Sequence, residues 1–183
     1  MIALFESQGA GMRRFTHAIG LSLAVEDWYG ALALALTMPD VCGRLSEPDA
    51  NSRSRYVRWF DQWLLASFTV NVGPHQERVV FLSGSDCYAL RCSYLHEGAG
   101  NIEEQHAREA LRSFHFITPP NSGVMHNNRV NDVLQLQVDI FCRQIAAAVD
   151  RWSDHIRADE AIQGRIANLL VIHDGDTQMA IGL

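Results

Sequence analysis

The chain has 183 residues, of which 48% are hydrophobic and 20% charged, and its net charge is −6 at neutral pH. That length is enough to bury a real core, and the balance of residues excludes a disordered chain. The acidic surplus argues against broad, charge-driven nucleic-acid binding but leaves room for a small basic cleft.

In chain order, the first helix is expected from about Arg14 to Met38, where Leu21, Ala24, Val25, Trp28, Leu32 and Leu36 recur at helical spacing. Pro39 should end or kink it, with Gly43 stopping any further turn. After the polar stretch 45–52, a second helix is expected from Arg53 to Phe68, capped by Ser52 or Ser54. Its apolar stripe is Tyr56, Val57, Phe60, Trp63, Leu64 and Phe68. The run Asn71 to Pro74 breaks the chain, and Val79 to Leu82 forms a short apolar approach to the third helix. Ser83 or Ser85 caps that helix, Cys87, Tyr88, Leu90, Tyr94 and Leu95 are its apolar positions, and Gly98 closes it.

Beyond Gly98, residues 102–112 are expected to be helical. Phe114 to Ile117 alternates and reads as a strand, which the Pro119-Pro120 turn and Val124 to His126 complete as a small hairpin near 113–127. The last long helix is expected from Asp132 to Ile156, although Val133 to Val138 also alternates like a strand. A short helical segment carrying Ile162, Ile166, Leu169 and Leu170 follows, and the tail 174–183 is expected to fray. The sum is a single all-α domain over 1–183, a helical bundle with a small β insertion.

Chemistry-bearing residues are sparse. Cys42, Cys87, Cys92 and Cys142 form no close-spaced pair, and the eight histidines match no zinc pattern, so neither a metal nor a cofactor is expected. The apolar run 31–38 is too short for a bilayer, and the start lacks a basic segment followed by a long apolar one. A cytoplasmic location without membrane attachment is the resulting expectation.

The third helix carries the most loaded pair, Arg91 and His96. A guanidinium can hold a phosphate with two donors, and an imidazole can exchange a proton near neutral pH. Together they suit metal-free RNA cleavage, in which a 2′-hydroxyl attacks the adjacent phosphodiester. A five-residue step turns a helix by about 500°, so the two side chains do not share a face. A second copy of the chain could complete the site. The competing structural reading pairs Arg91 with Asp61 or Asp86 and lets His96 satisfy carbonyls of the last turn. Other candidates are a Cys92 thiolate activated by Arg91, a meeting of His115 and His126 across strands, base stacking by Trp59 and Trp63, and the basic clusters Arg53, Arg55, Arg58 and Arg13-Arg14.

The segment Leu90-Arg-Cys-Ser-Tyr-Leu-His-Glu-Gly98 resembles the signature of the HEPN superfamily: arginine, four to six residues, then histidine, often followed by glycine. The order of a long first helix, an amphipathic second helix and a motif helix is similar as well. The resemblance implies a HEPN-like bundle and a homodimer whose interface gathers two Arg–His pairs. It further implies metal-independent endoribonuclease activity with Arg91 and His96 as the catalytic pair, in a toxin–antitoxin, defence or stress system. Some members of the family are instead non-catalytic modules that bind RNA or a protein partner such as an antitoxin. Active members commonly carry a polar residue after the arginine, where this chain has Cys92.

Overall fold

A computed structural model describes residues 11–172 apart from 104 and 107. It is mostly helical with two small sheets. The expected tail segment 174–183 lies outside the described residues.

The single first helix expected from apolar spacing is two helices, α1 (Arg13–Ala24) and α2 (Trp28–Ser46). Glu26 between them takes a left-handed φ of 58°, and the Asp27 side chain caps α2 by accepting from Gly30 N at 3.0 Å. Apolar spacing continues across the break because Leu23 before it and Ala31 after it both face the core. Pro39 does not end α2, nor does Gly43 stop it. Pro39 loses one backbone donor and crowds the preceding turn, but Leu36, Met38, Cys42 and Leu45 around it are all buried, so packing carries the helix through.

α3 spans Ser52–Trp63 and is capped by Asn51, whose side chain accepts from Ser54 N at 2.9 Å, rather than by Ser52 or Ser54. A 3-10 turn, Leu65–Phe68, replaces its expected last turn. There follows an unexpected antiparallel hairpin, β1 (Thr69–Val72) with β2 (Glu77–Val80), exposed over most of its length. The motif helix α4 covers Gly84–Glu97, with Ser83 as N-cap and Gly98 closing it at a φ of 67°. Gly84 permits a tight approach to α3: a Cβ there would lie 2.8 Å from Asp61 Oδ1 and 2.9 Å from Val57 O.

The helix expected over 102–112 is absent among the described residues, which form turns instead. The reason is remote in sequence. Asp86, in the first turn of α4, accepts from Glu109 N at 2.7 Å and Ala110 N at 3.2 Å, taking donors a helix would have used. Ile102 and Leu111 are both fully buried, which anchors the loop at each end.

The hairpin expected near 113–127 is also corrected. β3 (Ser113–Ile117) pairs in parallel with β5 (Val133–Gln137), and β4 (Asn128–Val130) pairs antiparallel with β5. The alternating stretch 133–137 is therefore the central strand, and the last long helix, α5 (Val138–His155), begins only after it. α6 (Glu160–Ala167) follows. The core is filled by Leu36, Tyr56, Phe60, Phe68, Phe141 and Trp152, all at most 1% exposed. Trp152 Nε1 donates to Ser46 Oγ at 3.1 Å, fastening α5 to the end of α2.

Candidate functional site

α4 presents Cys87, Leu90 and Ser93 to the interior. Arg91 lies at the edge of that buried face and turns toward α2, where its Nη2 stands 2.8 Å from Asp40 Oδ2. Arg91 therefore pairs with neither Asp61 nor Asp86. Asp61 accepts from Gly84 N at 3.2 Å, and its partial burial raises its carboxyl above the ordinary value. Asp86 is taken up by the 109–111 backbone and Ser83.

Asp40 is a shared acid. Ser52 Oγ donates to its Oδ1 at 2.9 Å, and Arg55 Nη2 approaches the same oxygen at 3.8 Å. Two guanidinium groups thus flank one carboxylate, leaving a surplus positive charge between α2, α3 and α4. Beneath them the Tyr56 hydroxyl donates to Leu36 O at 3.3 Å and lies 3.4 Å from Cys87 Sγ. Burial pushes the Tyr56 hydroxyl well up and the Cys87 thiol up to about 12, so neither is ionised near neutrality.

His96 is exposed in the last turn of α4. It does not cap the helix, because backbone groups do that: Gly98 N donates to Tyr94 O at 3.0 Å and Ala99 N to Ser93 O at 3.4 Å. The imidazole has no hydrogen-bond partner among the described residues and is open to solvent. One chain thus holds Arg91 against its own interior and His96 outward, about 140° apart around the helix.

The other candidates disperse. Trp59 is 3% exposed, too buried to stack on a base, and Trp63 packs against the His155 ring at 5.4 Å. His115 lies exposed on β3 opposite Gln135, whereas His126 is bonded to Gln137 and Gln144. Cys42, Cys87 and Cys142 are buried, and Cys92 is half-buried beside the Tyr88 hydroxyl. Arg58 is engaged with Glu47. Among the described residues no group of three or more His, Cys, Asp or Glu is placed to hold a metal ion, and no helix is long and apolar enough to cross a membrane.

Asp40 is the site residue that sequence reasoning missed. Its signal was present, since it is the sole charged residue between Asp27 and Arg44 in an otherwise apolar helix. An isolated acid in such a setting is expected to have a partner.

No protein-family model, curated protein or solved structure matches the chain.

Proposed function

We propose that this chain is a HEPN-like helical domain that cleaves RNA without a metal, with Arg91 and His96 contributed by each of two copies. The observation that carries the reading is the exposed, unbonded imidazole of His96 at the glycine-closed end of the motif helix. The guanidinium surplus around Asp40 adds a positive charge for a phosphodiester. In the reaction the 2′-oxygen attacks phosphorus and the bond to the 5′-oxygen breaks, giving a cyclic 2′,3′-phosphate and a 5′-hydroxyl. His96 takes the 2′ proton or returns one to the leaving oxygen, and Arg91 balances charge building on the phosphoryl oxygens. A role in a toxin–antitoxin, defence or stress system belongs to the same proposal.

A second reading, a non-catalytic HEPN-like module that binds RNA or a protein partner, is favoured by the Arg91–Asp40 pair, which holds the guanidinium inward. One experiment separates the two. Structured and single-stranded RNA are incubated with the purified protein, Arg91→Ala and His96→Ala in excess chelator, with sedimentation run alongside. Cleavage by a dimeric wild type that His96→Ala abolishes supports the nuclease. Equal cleavage by all three proteins removes it, and an intact RNA pool with a dimer that retains RNA or a protein partner supports the binding module.

A further inference from the structure

Where the start of α1 meets the ends of α5 and α6, a groove of about 570 Å³ is lined by Arg13, Arg14, Asp154, Arg157 and Gln163 among others. Among the described residues three arginines and one acid line it, a local reversal of sign in a chain whose net charge is −6. The acid is already engaged, because Asp154 Oδ1 lies 2.6 Å from Arg157 Nη2. Among the described residues two guanidinium charges are left over.

Arg14 is the telling residue. Its Cζ sits over the Phe15 ring, 5.0 Å from the ring centre. Its Nε and Nη2 are buried and meet no hydrogen-bond acceptor among the described residues. Buried charged donors without acceptors are costly, and a phosphate in the groove would supply acceptors as the side chain turns outward, since a planar guanidinium fork matches its oxygens. A neighbouring groove of about 600 Å³ shares Arg13 and Asp154 but adds the carboxylate of Asp150, which accepts from Thr16 Oγ1 at 3.1 Å. That second acid disfavours an anion there and places it at the Arg14 end.

We infer that the Arg13–Arg14–Arg157 groove binds a phosphate group, with Arg14 as the principal ligand and the other two arginines as rim charges. The phosphate belongs to a small phosphorylated molecule or to a nucleic-acid backbone, which share this chemistry. The inference uses no residue of α4 and stands apart from the proposed nuclease.

The test is calorimetric titration of the full chain with sodium pyrophosphate at constant ionic strength, and separately with a short single-stranded oligonucleotide. Saturable pyrophosphate binding is expected, weakened about tenfold or more by Arg14→Gln and about threefold by Arg157→Ala. Arg58→Ala, on α3 and paired with Glu47, should bind as wild type. Binding of the oligonucleotide alone, with the same dependence on Arg14 and Arg157, supports the groove with the backbone as its source. No saturable binding of either probe at millimolar concentration overturns the inference, as does equal binding by wild type and both groove variants. If Arg14→Gln fails to fold, Arg157→Ala decides, since that side chain is 78% exposed and outside the core.

Discussion

Arg91 and Asp40 meet where α4 crosses α2, a guanidinium nitrogen 2.8 Å from a carboxylate oxygen, with side chains only 22% and 13% exposed. Removing one partner leaves a largely buried charge alone. Asp40→Ala should therefore cost about 3–5 kcal/mol in denaturant unfolding, while Asp40→Ala combined with Arg91→Met should cost less than the two single changes added together. A cost under about 1 kcal/mol for Asp40→Ala would show that the pair does not hold these helices together. His96→Ala, at an exposed and unbonded position, should change stability by no more than about 0.5 kcal/mol. Its effect on RNA cleavage can then be read free of folding, at about a hundredfold or more.

Asp86 is the opposite case, an acid buried to 2% exposure whose partners are backbone N–H groups. Asp86→Ala frees the amides of Glu109 and Ala110 and should destabilise the protein by about 3 kcal/mol or more. Hydrogen exchange should locate the loss at residues 108–112, and unchanged protection there would contradict the assignment of Asp86 as their anchor.

The pH dependence of stability should carry a contribution from His126. Its Nδ1 accepts from Gln137 N at 3.3 Å, so the neutral ring holds its proton on Nε2, which donates to Gln144 Oε1 at 3.1 Å. Protonating Nδ1 would set two donors against each other. Burial also disfavours the cation, so the folded value lies below the ordinary 6.5 even though Gln144 and Asp139 oppose the shift. As pH falls, the unfolded chain takes up the proton first. Stability is therefore full above about pH 6.5, declines as pH falls to the lowered folded value, and is unaffected by this group below it. His126→Gln should flatten the midpoint-against-pH curve in that window, and an unchanged slope would assign it to other groups.

Gly84→Ala should destabilise by about 1–3 kcal/mol, because its Cβ would press 2.9 Å from the Val57 carbonyl oxygen, which is backbone and cannot swing aside. The same substitution at Gly164, where a Cβ meets nothing within 4 Å, is the control and should be neutral or mildly stabilising. Equal effects at the two positions would argue against close α3–α4 packing.

The motif helix was legible because its signals are local: Ser83 at one end, Gly98 at the other, and apolar residues at helical spacing between. The long C-terminal helix was legible for the same reason, and the alternation of 133–137 marked β5 within its blurred start. The break at Glu26 was hidden because core-facing spacing survives on both sides of it. Residues 102–112 misled because what unmakes their helix is a carboxylate on α4, more than a full loop away in sequence. At the candidate site, Arg91 and His96 could be named from the sequence, but the direction in which Arg91 turns depends on Asp40, brought near only by helix packing.

The parallel pairing of β3 with β5 constrains how the chain can be edited. Parallel neighbours cannot be joined by a tight turn, so the path after Ile117 must carry the chain across the head of α5 before it returns through β4. Met125 N and His126 Nδ1 both bond Gln137 there, which ties the crossing down at its far side. The exposed apex at residues 121–123 carries none of those ties. Shortening the span would pull the two strands apart, whereas each doubling of its length costs only about 0.6 kcal/mol. Asn121 to Gly123 is thus the seat at which a reporter peptide or an affinity handle can be grafted without disturbing either α4 or the arginine-lined groove.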